Sequence, residues 1–464
     1  MSRAPVSDQG DLDRVERIIK EEGLENVAIA GADMTGILRG KRLSVDAFLE
    51  GAQSGFGFSD YLFAIDIEEQ LIGRREDYDG WWPSWDTGLE EIIALPDLST
   101  FRVAPWLDQT AIVLCDYFHK DYAPVEISPR FVLGKVVERA ISLGFTPRLG
   151  TELEFFLFKE TGETLAMKGY QGLEPLFGRG SGYGVYRATL DEPFIRPVRE
   201  AVYSMGIGVE GSNPEAGGGQ YEINLTHSPL PVAADDAVLF KHAVKEIAAR
   251  SGLMATFMAM CSPAEFGSSC HFHLSLWDDK GERNLFWDEG TGSLSKLGLQ
   301  FVAGQTLALQ ELTAIYAPNL NSYKRFKDYS AAPTTASWGY DNRTTGLRVL
   351  KESHGSTRVE NRVPGGDVCL YLAIAATLAG GLSGIENELE APEDVIGDAY
   401  TRAHLPKLPR SLEEALSLFR ESTVGREYLG DELVEFYAVT RRWEIDVFKN
   451  ALTDWEVKRY LEYL

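Results

Sequence analysis

The chemistry is densest in Thr151-Glu152-Leu153-Glu154-Phe155-Phe156-Leu157-Phe158, where two carboxylates interrupt an apolar run. Alternate residues of a strand share a face. Glu152, Glu154, Phe156 and Phe158 therefore point one way, and Leu153, Phe155 and Leu157 the other. A strand this apolar on both faces is covered on both sides. Two neighbouring carboxylates on a covered face repel and lose hydration, which costs on the order of several kcal/mol unless cations compensate. The bland alternative is a strand end that reaches solvent, with Arg148 as partner. Repetition of the pattern weighs against it.

Three later strands carry the same device. In Gln220-Tyr221-Glu222-Ile223-Asn224-Leu225, Glu222 and Asn224 lie opposite Tyr221, Ile223 and Leu225, and Glu215 precedes them across Ala216-Gly217-Gly218-Gly219. In Cys270-His271-Phe272-His273-Leu274-Ser275-Leu276, the residues His271, His273 and Ser275 share a face. Arg358, Glu360 and Arg362 do so in Arg358-Val359-Glu360-Asn361-Arg362. Taken singly, a strand histidine is more often a satisfied core residue than a ligand. Arg-Glu-Arg is more often an ion-pair ladder than a site. Together, Glu152, Glu154, Glu215, Glu222 and Glu360 converge with an imidazole only if divalent cations hold them. Oxygen-rich ligation with an imidazole favours Mg²⁺ or Mn²⁺ over zinc. The surplus arginines Arg325, Arg343, Arg348, Arg358 and Arg362 suit a substrate rich in phosphate and carboxylate. Metals with an arginine cluster describe phosphoryl transfer. There is no Walker A sequence. Gly206-Ile207-Gly208-Val209-Glu210-Gly211 matches GxGxxG, but it follows a helix and runs into Ser212-Asn213-Pro214, so it is a chance match. ATP, if bound, sits on the open face of the sheet.

The elements that must position these residues fall into two groups. An early helix capped by Asp11, a strand at Val27-Ala30, a hairpin over Gly36-Arg42 and strands at Tyr61-Ile67 and Ala111-Cys115 make a small mixed sheet, with the Trp-rich stretch Trp81-Trp82-Pro83-Ser84-Trp85 among them. Those tryptophans fit an interface or packing within the small domain equally well. Pro124 and Pro129 then punctuate the chain, placing a boundary near 119 between domains 1–118 and 119–464. Beyond it, helices are predicted at 129–143, 191–205, 233–250, 293–316, 369–386, 411–419 and 431–449. Strands are predicted at 145–158, 207–211, 219–226, 254–259, 270–277, 346–351 and 357–363. The pattern is α+β with a mostly antiparallel second sheet.

Composition narrows the partners. The 464 residues are 44% hydrophobic, enough for two cores, and carry a net charge of −25 that is spread along the chain. That argues against nucleic acid and anionic membranes. Cys115, Cys261, Cys270 and Cys369 lie far apart without CxxC spacing, as thiols in a reducing compartment do. Met1 to Gly23 is polar and lacks a signal-peptide core, and the longest apolar run, Cys369 to Leu382, is too short and too rich in Ala and Gly to span a bilayer. The expectation is a soluble cytoplasmic protein.

Six ordered motifs resemble the glutamine synthetase signatures: Gly150-Thr151-Glu152-Leu153-Glu154-Phe155-Phe156, Gly219-Gln220-Tyr221-Glu222, Gly267 to Leu276, Asn321-Ser322-Tyr323-Lys324-Arg325, Asn342-Arg343 and Arg358 to Arg362. Gly36 to Arg42 and Asp454-Trp455-Glu456 fit as well, so the resemblance covers nearly the whole chain. It implies an N-terminal β-grasp domain, a catalytic domain with a curved sheet, and a homo-oligomer resembling the dodecameric class with active sites shared between subunits. By position, Glu154, Glu215 and Glu222 hold one metal, and Glu152, His271 and Glu360 the other. Arg325 and Arg362 match the arginines for the substrate carboxylate. Arg343, Arg348 and Arg358 match the phosphate arginines. His273 and Ser275 line the nucleotide site, and Gly267 lies beside the amino group of glutamate.

Departures from the pattern carry the function. Glutamine synthetases place a Glu on a flap between the substrate arginine and an Ala-Pro pair, where it closes the site and takes a proton from ammonium. In Arg325-Phe326-Lys327-Asp328-Tyr329-Ser330-Ala331-Ala332-Pro333 that position is Ala331. A methyl group neither binds ammonium nor accepts its proton. Asp60, in Ser59-Asp60, matches the acidic residue that the N-terminal domain gives to the ammonium site, and the tyrosine of that site is Tyr183 or Tyr186. Relatives that γ-glutamylate polyamines, ethanolamine or other amines look like this. The regulatory loop after Tyr400 is also shortened. The reading is a ligase that joins glutamate to an organic amine through γ-glutamyl phosphate. The alternatives are a true glutamine synthetase using ammonia and a non-catalytic relative; the latter is expected to lose metal ligands, and all six are present.

Overall fold

The computed structural model describes residues 9–464, so the first eight residues of the polar N-terminal stretch lie outside the described residues. Two sheets organise the chain. The first contains β1 (Asn26–Ala32), β2 (Leu38–Ser44), β3 (Phe56–Ser59), β4 (Glu91–Pro96), β5 (Arg102–Val103) and β6 (Thr110–Phe118), in the order β2-β1-β6-β4-β3 with β5 on β6. Its central pair, β1 and β6, is parallel and the remaining pairs are antiparallel, as a β-grasp requires. The turn between β1 and β2 needs Gly36, whose φ is +83° and where an added Cβ would stand 2.8 Å from the Cα of Cys369.

The second sheet contains β7 (Thr146–Phe158), β8 (Val209–Pro214), β9 (Gln220–Pro229), β10 (Met254–Thr256) and β11 (Cys270–Trp277). After a two-stranded ribbon of β12 (Trp287–Asp288) and β13 (Ser293–Leu294), it is completed by β14 (Trp338–Tyr340), β15 (Leu347–Leu350) and β16 (Arg358–Asn361). The order is β14-β15-β16-β11-β7-β9-β8, with β10 on β7, and only β14 and β15 pair in parallel. Helices Val232–Arg250, Lys296–Ala308 and Leu370–Glu386 supply much of the core, and the last is buried over nearly its whole length. Among the described residues no helix is long and apolar enough to cross a membrane.

Most predicted elements are present within a few residues. The first helix runs Gln9–Glu22, so Asp11 stands in its first turn rather than capping it. Tyr61–Ile67 is not a strand. Asp60–Phe63 forms a 3₁₀ turn instead, because Leu62 and Phe63 are both buried, and alternation would have sent one of them outward. The span 293–316 divides into β13, the helix Lys296–Ala308 and a turn of helix at Thr313–Tyr316. The predicted 191–205 helix starts earlier, at Val185, and accommodates Pro193 and Pro197. Trp82 is buried against Phe436, with ring centroids 4.4 Å apart, and its indole donates to the carbonyl of Ile72 at 3.0 Å. Trp85 is 78% exposed.

The two sheets are tied by Arg130, at the start of helix Pro129–Ser142. Its guanidinium reaches Asp97 (2.6 Å) and Asp116 (2.7 Å) on the first sheet's side, and Asp235 (2.8 Å) of helix Val232–Arg250. Asp235 also accepts from the Tyr371 hydroxyl at 2.7 Å. Burial opposes the charge on Arg130, but Asp235 and Asp116 hold it firmly protonated. Removing a buried charge partner leaves its counter-ions uncompensated, at about 3–5 kcal/mol. Arg130→Met should therefore lower the urea midpoint by an amount equivalent to about 3 kcal/mol. A loss below about 1 kcal/mol, the range of exposed pairs, would mean that the three carboxylates tolerate one another without it.

Candidate active site

Strand β7 lies between β9 and β11, and the registers place its carboxylates. Glu154 pairs with Glu222 across β9, and Glu152 stands between Asn224 on one side and His271 on the other. A register shift between Leu149 and Thr151 brings the strand into this alignment after Gly150. Nδ1 of His271 lies 2.9 Å from Glu152 and 3.7 Å from Glu360. Nε2 of His273 lies 2.9 Å from the other oxygen of Glu152, and its Nδ1 accepts from Arg358 Nε at 3.1 Å. Donor atoms of Glu152, Glu222 and His271 come close enough to share a cation, as do those of Glu152, His273 and Glu360. His273, read from sequence as lining the nucleotide site, thus also faces the carboxylates.

The charges divide the site in two. Burial would raise Glu152, but His271 and His273 hold it well below the usual carboxylate range. Glu360 is fully buried and likewise resists burial, sitting near 2 because Arg362 and the two imidazoles stabilise its anion. Its carboxylate is bracketed by Arg362 and by Arg348, the latter at 3.0 Å and itself pinned by Asp341 at 2.6 Å. The other carboxylates lack such partners. Burial and Glu215 push Glu154 up to about 7, against the help of the Ser269 N–H, Arg325 and Arg362. Burial, then Glu152, Glu154 and Glu215, push Glu222 up further, and burial raises Glu215. Unrelieved negative charge from hard oxygen donors is what Mg²⁺ or Mn²⁺ offsets, so the donor set fits a divalent cation.

The remaining expected residues are placed as follows. Arg325 is fully buried and donates to Ser269 Oγ at 3.1 Å and to the carbonyl of Val363. Gly267 makes room for its stem, since an added Cβ would meet Arg325 Cγ at 2.5 Å. Ala331 lies at the surface with φ +63°, its carbonyl 3.4 Å from Arg362. Tyr183 donates its N–H to the carbonyl of Pro214; its side chain is largely exposed, and partial burial, then Glu215 and Glu222, raise its hydroxyl. The site's field therefore reaches Tyr183. Arg343 is exposed at the rim, where it too acts on Tyr183. Beside Glu152 a cavity of about 300 Å³ is lined by Asn224, His227, His273, Ser275, Trp277 and Arg358. Asp60 is buried in the N-terminal region, where burial and Glu90 raise it to about 6. The groups that shift Asp60 belong to that region, and none of the site's carboxylates or arginines is among them.

Sequence reasoning passed over two residues that hold this arrangement. Gln220 Nε2 donates at 3.0 Å to both Glu154 and the carbonyl of Gly267. Alternation already put Gln220 on the face of Glu222, so that signal was available. Asp341 precedes β15 in a loop with φ +44°, and no spacing rule points from there to Arg348.

Carboxyls raised in the folded protein cost stability as pH rises through their values, a cost present near neutral pH. Mg²⁺ added to chelator-treated protein should raise its melting temperature, by the equivalent of about 2.7 kcal/mol at a hundred times its dissociation constant. Glu222→Gln should melt higher than the unmodified protein without Mg²⁺ and lose most of the Mg²⁺-dependent gain. Superimposable melting curves with and without Mg²⁺ would remove the cation from this site.

The catalytic domain of glutamine synthetase matches residues 126–460. Glutamate–isopropylamine ligase from a Pseudomonas species is 38% identical over 456 residues, 97% of this chain and 98% of that one. Gamma-glutamylethanolamide synthetase GlnA4 of Streptomyces coelicolor is 39% identical over 464 residues, 99% of this chain and 98% of its own. Type-1 glutamine synthetase 2 of Dictyostelium discoideum is 39% identical over 443 residues, 94% and 84% of the two chains. A solved GmaS/ADP complex shares the fold at a TM-score of 0.83 and 28% identity, covering 96% of this chain and 98% of that one. The carboxylates of β7, β9 and β16 and the histidines of β11 thus stand in a chain that belongs to the glutamine synthetase family.

Proposed function

We propose that this chain is an ATP-dependent ligase that joins glutamate to an organic amine as a γ-glutamylamide. Arg325 and Arg362 hold the substrate carboxylate, with Gly267 beside the amino group. Arg343, Arg348 and Arg358 bind phosphate oxygens, with Arg343 placed at the transferring group, and His273 and Ser275 line the nucleotide cavity. Glu154, Glu215 and Glu222 hold one divalent cation and Glu152, His271 and Glu360 a second, either Mg²⁺ or Mn²⁺. When bound, these cations neutralise charge on the phosphates. An oxygen of the γ-carboxylate takes the terminal phosphoryl group and ADP leaves. The amine nitrogen then attacks the carbonyl carbon, the bond to the phosphate oxygen breaks, and the amine's extra proton passes to an acceptor.

The observation that carries the amine reading is Ala331. The flap carries only a methyl group at the residue whose main-chain carbonyl accepts from Arg362, where the family pattern has the carboxylate that ammonium needs. The ethanolamide- and isopropylamine-forming relatives support the same reading. The similarity to a glutamine synthetase at 39% identity favours a second reading, with ammonia as the acceptor. Losing one charge partner in a desolvated site costs ammonium on the order of 2–5 kcal/mol. An apolar substituent recovers about 0.8 kcal/mol per buried methylene. The protein should therefore use an organic amine with higher kcat/KM than ammonia, and Ala331→Glu should shift the ratio towards ammonia by about two decades. Glu154→Ala should abolish turnover of both. If the unmodified protein uses ammonia better than any amine on a broad panel, it is a glutamine synthetase.

We further infer a cytoplasmic homo-oligomer, a dodecamer, in which Asp60 and the rest of the N-terminal domain complete the amine site of a neighbouring copy. A division into 1–118 and 119–464 is supported by the end of the first sheet at Phe118 and by the family match that begins at 126. That only Glu90 and its own surroundings act on Asp60 within its chain motivates the sharing, and its raised value suits a group that accepts the amine's proton. Asp60→Asn and Glu154→Ala should each be inactive alone. Hybrids refolded from an equal mixture should recover about a quarter of the activity, since one site in four combines two intact halves. No recovery in hybrids confirmed by mass would place each site within a single chain.

A further inference from the structure

The flap that carries Ala331 is held from outside by another part of the chain. Residues 398–408 run along its exit. Leu408 donates its N–H to the carbonyl of Thr334 at 3.1 Å, Ala336 donates to that of Pro406 at 2.8 Å, and Thr335 and Lys407 form an antiparallel bridge. At the other end the Tyr400 hydroxyl donates to the carbonyl of Ala332 at 2.9 Å, and its ring lies 5.1 Å from that of Tyr329. Asp398 completes the clasp, accepting the Tyr400 N–H at 2.8 Å on one oxygen and the Tyr329 hydroxyl at 3.4 Å on the other.

The flap needs such a clasp because it is strained. Tyr329 and Ala331 have φ of +64° and +63°, a region that costs side-chain-bearing residues free energy and persists only where neighbours enforce it. Within the flap itself, Ser330 Oγ caps back onto Lys327 and Arg325, and Thr334 holds Asp328 at 2.8 Å. None of these bonds reaches Ala331 or Ala332. The outward bond to Tyr400 and the inward contact with Arg362 fix that pair between them.

We propose that Tyr400 is a positioning residue of the flap, holding Tyr329–Ala332 over the site so that the γ-glutamyl phosphate is kept from water and the amine pocket keeps its width. This rests on the ligase reading above. Water that reaches the acyl phosphate attacks its carbonyl carbon, the bond to the phosphate oxygen breaks, phosphate leaves and a proton goes to solvent. Glutamate is regenerated, so a loosened flap spends ATP without forming amide.

Two readouts test this on the full-length protein, with Tyr400→Phe removing the hydroxyl alone and Tyr400→Leu removing the aromatic contact as well. In the first, phosphate and γ-glutamylamide are counted in one reaction with the best amine from a panel. The unmodified protein should release about one phosphate per amide. Tyr400→Phe should raise that ratio and the amine KM by about fivefold, the effect of one hydrogen bond, with the rate of phosphate release largely kept. Tyr400→Leu should raise them further. In the second, amide hydrogen exchange of 328–333 should quicken in both variants relative to the bulk of the chain, whether or not any amine is a substrate. Faster exchange in a protein that forms no amide with any amine would leave the clasp standing and sink the ligase reading. Unchanged exchange, or an unchanged ratio and KM in Tyr400→Leu, would overturn the assignment of Tyr400.

Discussion

Like charge packed on the covered face of a sheet is the constraint from which the site follows. Strand β7 sets Glu152 and Glu154 two residues apart, and its pairing with β9 sets Glu222 directly across from Glu154. The protein neutralises only part of this charge. Arg348 and Arg362 take Glu360, and His271 and His273 take Glu152, so these two carboxylates ionise easily. Glu154, Glu215 and Glu222 are left to repel one another, and their proton affinities rise. A fold that only needed stability would have replaced them with apolar residues of similar volume. Their retention marks the half of the site where a cation from outside the chain contributes most.

The arginines and amides around this face have a second task, which is to hold the carboxylates still. Gln220 and the Ser269 N–H fix one oxygen of Glu154, and Asp341 fixes Arg348 so that it can brace Glu360. Arg325 is held by Ser269 and Val363, so the same short stretch of chain before β11 orients a proposed metal ligand and a proposed substrate arginine. Displacing Ser269 would disturb both halves together. Positioning of this kind matters for transfer chemistry, where misplacement by about 1 Å can cost about a hundredfold in rate.

How much of this was legible in the sequence follows from the reach of each interaction. Alternation along a strand is local, so the polar faces of β7, β9, β11 and β16 could be read directly, and with them the carboxylates and histidines that converge. The 3₁₀ turn at Asp60–Phe63 could not, because its apolar residues are placed by packing rather than by period. The clasp between Tyr400 and Ala332 joins loops 68 residues apart, and the carboxylate that accepts from Arg348 belongs to a positive-φ loop residue, Asp341. Propensity has nothing to say about either. Tyr183 and Tyr186 were equivalent on paper. The fold ties the backbone of Tyr183 to the strand end beside Glu215, while both rings stay largely exposed.

The way the flap is held has a consequence for specificity. Its outside contacts fall on main-chain groups, the carbonyls of Ala332 and Thr334 and the N–H of Ala336, while Tyr329 is gripped through its ring and hydroxyl. The side chain of residue 331 takes no part, and the position is exposed. Its backbone conformation is imposed by neighbours on either side, so the cost of the left-handed φ is much the same for Ala and for Glu. A carboxylate or a methyl group can therefore occupy the position without the flap refolding. On the ligase reading proposed above, the choice of acceptor would then be separated from the machinery that activates glutamate, by bonding the backbone and leaving one side chain free.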